Sequence, residues 1–196
     1  MRTKPPEWAE SLLRLFLKPD VFASVSGDLL EQYRDSILPA RGLMRADRWY
    51  LAQVVGFVCR KTLPWAALFA GAFLTRGAWD VLRPTTDFHT RSQVSTAIAA
   101  ALLLASGFSM AWRSGSFFAG AAAGFATTAT ACVLSIGGNA VLLALWHDPR
   151  VMSAVAASGG LDEAFLLPAM LILPGTALGG IGGLLGAGTK RFSRGV

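Results

Sequence analysis

Apolar and polar positions along the chain fall into two regimes that meet near Thr62: short amphipathic stretches before it, four long apolar runs after it. In the first regime Trp8, Leu12, Leu15 and Phe16 recur at helical spacing, with Glu7, Glu10 and Arg14 off that stripe, which predicts a helix from Glu7 to about Leu17. Pro5-Pro6 opens it, and Lys18-Pro19 ends it because the proline ring cannot continue the hydrogen-bond ladder. Asp20 is placed to cap a second helix that reaches about Leu38 and stops at Pro39, with Val21, Phe22, Val25, Leu29, Leu30, Tyr33 and Ile37 on one stripe. Gly27 costs about 1 kcal/mol in a helix interior, so a kink or restart is expected at Ser26-Gly27-Asp28. A third helix is expected after Arg41-Gly42, with Leu43, Ala46, Tyr50, Val54 and Val58 on one side, running past Arg60-Lys61 and Pro64 into the first apolar run.

The apolar runs cover about residues 63–82, 94–112, 117–146 and 165–188. A bilayer core needs roughly 20 apolar residues in a helix, so each reads as a membrane span, and Trp65 and Trp79 read as interface anchors. The third run is longer than a bilayer requires, and Gly137-Gly138-Asn139 is the expected place for it to break or tilt. Pro168 and Pro174 fall in the first half of the fourth. The expected fold is an all-α membrane protein: a small cytoplasmic head of about three helices over residues 1–61, then a four-helix transmembrane bundle over 62–196.

Composition agrees with this, at 53% hydrophobic and only 15% charged. The net charge of +6 does not point to nucleic acid, because ten of the eighteen Lys/Arg and seven of the twelve Asp/Glu are interleaved in residues 1–61. No basic helix is free of acidic residues and no aromatic RNA-binding signature is present, so a nucleic-acid partner is not expected. The basic residues instead obey the positive-inside rule. With the head cytoplasmic, fourteen Lys/Arg fall on the inner side and four (Arg76, Arg83, Arg91 and Arg150) on the outer, which places both termini in the cytoplasm. Met1-Arg2-Thr3-Lys4-Pro5-Pro6 does not have the form of a signal peptide.

Few positions carry candidate chemistry. Gly120-x-x-x-Gly124 and the series Gly175, Gly179, Gly183 have the spacing that lets helix backbones approach closely in a membrane. Packing within the chain is their first reading; self-association or docking on another membrane protein's helices is the alternative. Arg76 and Asp80 stand at i and i+4 near the outer end of the first span, close enough to pair. His89 and His147, near Asp87 and Asp148, match no metal-ligand spacing, and no metal or cofactor is expected. Gly183 to Lys190 has the look of a phosphate loop, but Thr189 precedes Lys190 and the order is wrong. Hydrolase, zinc-protease and redox signatures are missing, so no enzymatic activity is expected.

The densest polar and aromatic pattern is Gly27-Asp28-Leu29-Leu30-Glu31-Gln32-Tyr33-Arg34, followed by Leu38-Pro39, Arg41-Gly42 and Ala46-Asp47-Arg48-Trp49-Tyr50 with Gln53-Val54. With the Trp- and Leu-rich first helix, this order over residues 7–61 resembles the permease prefix domain at the N-terminus of bacterial macrolide-exporter-type ABC-transporter permeases. Those permeases carry a bulky extracytoplasmic domain after the first span, and the connection here, about residues 83–93, is too short for one; the chain is similar to a stand-alone relative. The resemblance implies a bacterial inner-membrane protein associated with an ABC-type exporter. The expected protein-binding surface is Asp28, Glu31, Tyr33, Arg34, Asp47, Arg48 and Trp49, the charges setting register and the aromatics supplying contact area. Two other readings stand beside it. One is a transporter in its own right, using Thr127, Thr128, Thr130, Ser135 and Asn139; the other, by analogy, is a membrane partner of a PadR-type repressor.

Overall fold

The computed structural model describes residues 4–83, 88–145, 153 and 166–193. Every regular element among them is helical. Helix α1 (Glu7–Phe16) starts behind Pro6 with Glu7 and Glu10 in its first turn, where carboxylates suit the helix dipole. It buries Ala9, Leu13 and Phe16, while Trp8 is 59% exposed. The buried stripe is thus rotated from the expected one: the close contacts of this short helix run through a small residue, Ala9, and the large Trp8 stays outside.

Helix α2 (Pro19–Gln32) is capped at Lys18, with Pro19 supplying the preset φ of a first helical residue and Asp20 in the first turn. Asp20 is therefore not the cap. The helix does not restart at Gly27: it runs on through the glycine, with Ser26 and Leu29 on either side of it buried. The irregularity comes later, in a single π-helical turn, Tyr33–Ile37, where the Leu38 N–H donates to the Tyr33 carbonyl. Pro39 explains it. An α-helical turn would drive its ring into the Asp35 carbonyl, and widening the turn lets the proline sit in the first turn of α3 (Leu38–Arg41) without breaking the helix. The reversal into the next helix falls on Gly42, at φ 72° and ψ 168°, a conformation that only glycine adopts freely.

Helix α4 (Leu43–Leu82) is 40 residues long and continuous from the head into the first span, with Pro64 inside it. Helices α5 (Phe88–Ser114) and α6 (Phe117–Leu145) follow as the second and third apolar segments. The third segment is not broken: α6 runs through Gly137 and Gly138 as one helix. Gly138 is where the Leu74 side chain of α4 packs, since a Cβ there would lie 2.6 Å from Leu74 Cδ1, and inside a bilayer a broken helix would leave backbone groups without partners. The fourth segment begins with the short helix α7 (Leu167–Met170) and continues as α8 (Ile172–Phe192). Among the described residues four helices are long and apolar enough to cross a membrane.

In the bundle α5 and α6 form a central pair, flanked by α4 on one side and α8 on the other. At one end, Gly115 (φ 78°) makes the tight turn between α5 and α6, and the Lys190 ammonium donates to the Arg113 carbonyl, tying the end of α8 to that of α5. The head is seated on this end. Phe16 of α1 is 5% exposed and packs with Val58, Met110, Ala119 and Ala123, from α4, α5 and α6.

Candidate functional site in the helical head

The head has its own small core, made of Ala9, Leu13, Leu17, Leu29, Tyr33, Ala46, Tyr50 and Val54. Tyr33 and Tyr50 meet edge to face, ring centroids 6.0 Å apart, a geometry in which the positive edge of one ring faces the negative face of the other. The Tyr33 hydroxyl donates to Asp47 Oδ1 at 2.7 Å, a charge-assisted bond that fixes the π turn against α4. Ser26 Oγ donates to Glu10 Oε1 at 3.4 Å, joining α2 to α1.

Of the seven residues expected to form a protein-binding surface, the structure brings two together as an internal tie. Tyr33 is fully buried and offers no area to a partner; Asp47 is half-buried and engaged by it. Asp28, Glu31, Arg34 and Arg48 are exposed, and Trp49 is half-buried with its ring against the head core. The charged faces of the head are thus split. Asp28 and Glu31 stand on α2 with Arg34 just beyond, whereas Arg48 and Trp49 share a shallow depression with Arg41 and Arg45, about 400 Å³ in volume. Arg41 and Arg45 were not among the expected residues. The spacing of Arg45, Arg48 and Trp49 at i, i+3 and i+4 carried the signal, since such residues share a helix face.

Tyr50 was likewise missed as a site of interest. Its hydroxyl is buried and has no hydrogen-bond partner among the described residues. Burial pushes its phenol above the ordinary value, the nearby Glu10 carboxylate adds to that, and the Ser26 hydroxyl opposes it.

In the bundle the expected glycines all lie in one seam. A Cβ on Gly179 of α8 would meet Gly124 Cα at 2.6 Å and the Gly120 carbonyl oxygen at 2.7 Å; one on Gly183 would meet Gly120 Cα at 3.0 Å. Gly175 packs against Thr128, and Gly107, Gly182 and Gly186 repeat the arrangement between α5 and α8. The Gly120, Gly124, Gly175, Gly179 and Gly183 surfaces are therefore occupied within the chain. Nearby polar side chains are tied down: Ser106 and Thr127 hydroxyls are 2.9 Å apart, and Thr128 Oγ1 donates to the Gly124 carbonyl at 2.8 Å. Ser135 Oγ is buried without a partner among the described residues.

Among the described residues no group of three His, Cys, Asp or Glu side chains comes together to hold a metal. Asp87, His147 and Asp148, and the side chains of Asp80 and His89, lie outside the described residues. Comparison with family models, with curated proteins and with solved structures gives no match.

Proposed function

We propose that this chain is a non-enzymatic protein of the bacterial inner membrane whose helical head binds a protein partner, as an accessory or regulatory component of an ABC-type transporter. The observation that carries the reading is the way the head is built. The Tyr33–Asp47 bond locks the π turn that follows α2 to α4, and Phe16 seats α1 on the bundle. The head is thereby a platform held rigidly on the membrane anchor, with Asp28, Glu31 and Arg34 left exposed on it. Charged side chains on a preorganised surface give a docking partner register and a fast encounter. The likeness of residues 7–61 to the permease prefix domain makes an exporter subunit the partner to test first.

Orientation follows from where the charges lie. The end of the bundle that carries the head also carries Arg113, Lys190 and Arg191, and the positive-inside rule supports a cytoplasmic side for that end. The bundle gives conduction little support. Its Ser106, Thr127 and Thr128 hydroxyls are spent on one another or on a helical carbonyl, and glycine contacts close the seams of α8 against α5 and α6.

The test is a crosslinking pull-down of the tagged full-length protein from its native membrane, beside the Asp28→Lys/Glu31→Lys variant. Both residues are exposed, so the variant leaves the core untouched. Recovery of a transporter ATPase or permease, lost in the variant, is the expected result. Recovery of a PadR-type repressor would assign the same surface to a signalling role. Recovery of nothing but the protein itself, unchanged in the variant, would sink the proposal.

A further inference from the structure

Helix α4 starts at Gly42, and the residues on either side of that start converge. Arg41 before the glycine, with Arg45, Arg48 and Trp49 after it, lines a depression of about 400 Å³, within the roughly 300–1,000 Å³ of small-molecule sites. Three arginines line one small volume, and among the described residues none of the three takes part in a hydrogen bond or ion pair. The acidic residue nearest in sequence, Asp47, does not neutralise them. It lies on another face of α4 and is held by the Tyr33 hydroxyl at 2.7 Å. Trp49 is a fixed wall, because its ring also packs on the head core. The N-terminus of a 40-residue helix with no side-chain cap adds a positive dipole end beside the arginines.

We propose that this depression binds a phosphate-bearing anion. Like charges gathered in one small volume repel, and an anion that takes several N–H donors at once relieves that. Phosphate, with up to two negative charges and three free oxygens, matches planar guanidinium forks that present paired donors. A single carboxylate has fewer acceptor sites than three arginines can fill. The site uses none of the residues of the acidic face on α2, so it stands or falls independently of the partner proposed above. Phosphate chemistry is common to a soluble phosphate ester and a lipid headgroup, and the test separates the two.

The full-length protein is placed in phosphatidylcholine nanodiscs and titrated with pyrophosphate by calorimetry. In a second arm, nanodiscs containing phosphatidylglycerol are used, and retained anionic lipid is counted by native mass spectrometry. Binding is expected in at least one arm, and the arm that shows it identifies the source. Arg48→Gln is expected to weaken it about tenfold, the worth of one charge-assisted hydrogen bond, and Arg45→Gln/Arg48→Gln to abolish it. Arg48→Lys keeps the charge and the fold but loses the fork, and is expected to weaken binding several-fold. Lys18→Gln/Arg113→Gln/Arg191→Gln removes three exposed charges outside the depression, one more than the double variant, and is expected to change binding by less than about twofold. No binding in either arm overturns the proposal. So does an equal loss in the three control positions, which would mean attraction to net charge and not a site.

Discussion

Replacing Gly179 by alanine adds one methyl group where the structure has no room for it. The new Cβ would lie 2.6 Å from Gly124 Cα and 2.7 Å from the Gly120 carbonyl oxygen, against the 3.4–4 Å of ordinary contact. Both obstacles are backbone, so no side chain can swing aside; α8 has to withdraw from α6 by about 0.8 Å, the difference between 3.4 and 2.6 Å. Withdrawal is costly because the same stretch of α8 is in contact with α5, where Gly107 faces Gly179 and Gly182 faces the Leu104 carbonyl. Overpacking of this kind costs about 1–3 kcal/mol. With two neighbouring helices to satisfy, the upper half applies, an unfolding constant raised about 30- to 150-fold. The assay is titration of the purified protein in mild detergent with dodecyl sulfate, followed by far-UV circular dichroism. Gly137→Ala is the control. It sits in α6 with nothing within 4 Å of its built Cβ, so alanine is expected to be neutral or to stabilise by up to about 1 kcal/mol through helix propensity. The Gly120→Ala/Gly179→Ala double variant is expected to cost less than the sum of the singles, since one withdrawal of α8 makes space for both methyls. If Gly179→Ala and Gly137→Ala unfold at the same detergent fraction, the close α6–α8 approach is refuted.

Two further outcomes concern the head. The folded head holds the Tyr50 proton more tightly than the unfolded chain, whose phenol has the ordinary value of 10.0. Its contribution to stability is therefore constant below about pH 10 and is lost as pH rises through the folded value. Melting curves from pH 8 to 11 are expected to show that loss in the parent and not in Tyr50→Phe. Equal alkaline losses in the two proteins would refute this. Phe16→Ala empties the seam between head and bundle and is expected to cost about 3–5 kcal/mol, read as faster protease cleavage in α1. Unchanged cleavage would show that the head is not seated through Phe16.

Periodicity made the helices legible, and where two readings of one residue competed, periodicity was the better guide. Tyr33 lay on the apolar stripe of the second helix and was also offered as a contact residue; it is buried, as the stripe required. Ala46, Tyr50, Val54 and Val58 are buried as the third stripe predicted, while Leu43, at the first turn of α4, is exposed. Beyond the first helix, whose buried stripe is rotated off Trp8, what failed were the punctuation signals. Gly27 and Gly137-Gly138 looked like breaks because glycine weakens an isolated helix, but a helix held on both sides by packing, or surrounded by lipid, has no better place for its backbone bonds. Pro39 looked like a stop, and a π turn, which leaves no mark in apolar spacing, carried the helix past it. The depression at Arg41 depends on the reversal at Gly42, which brings residues from two helices to one place. Spacing along a single helix cannot show that.

The density of polar and aromatic residues in the head has a physical cause that also limits what they can do. A head of three short helices and the first turns of α4 has too few buried side chains to fix its arrangement by apolar contact alone. Directional ties make up the difference, and they consume part of the pattern: Tyr33 with Asp47, Ser26 with Glu10, Tyr33 edge-on to Tyr50. The Asp-x-Trp-Tyr run thus resolves into an anchor at Asp47, a wall at Trp49 and a core ring at Tyr50. Residues off the stripes are left over from this work. Asp28, Glu31 and Arg34 stand exposed on α2 and the π turn, and Arg45 and Arg48 on α4. Because these charges hold nothing in place within the head, the fold does not account for them, and the two proposals, recognition of a partner on one face and of an anion on the other, would.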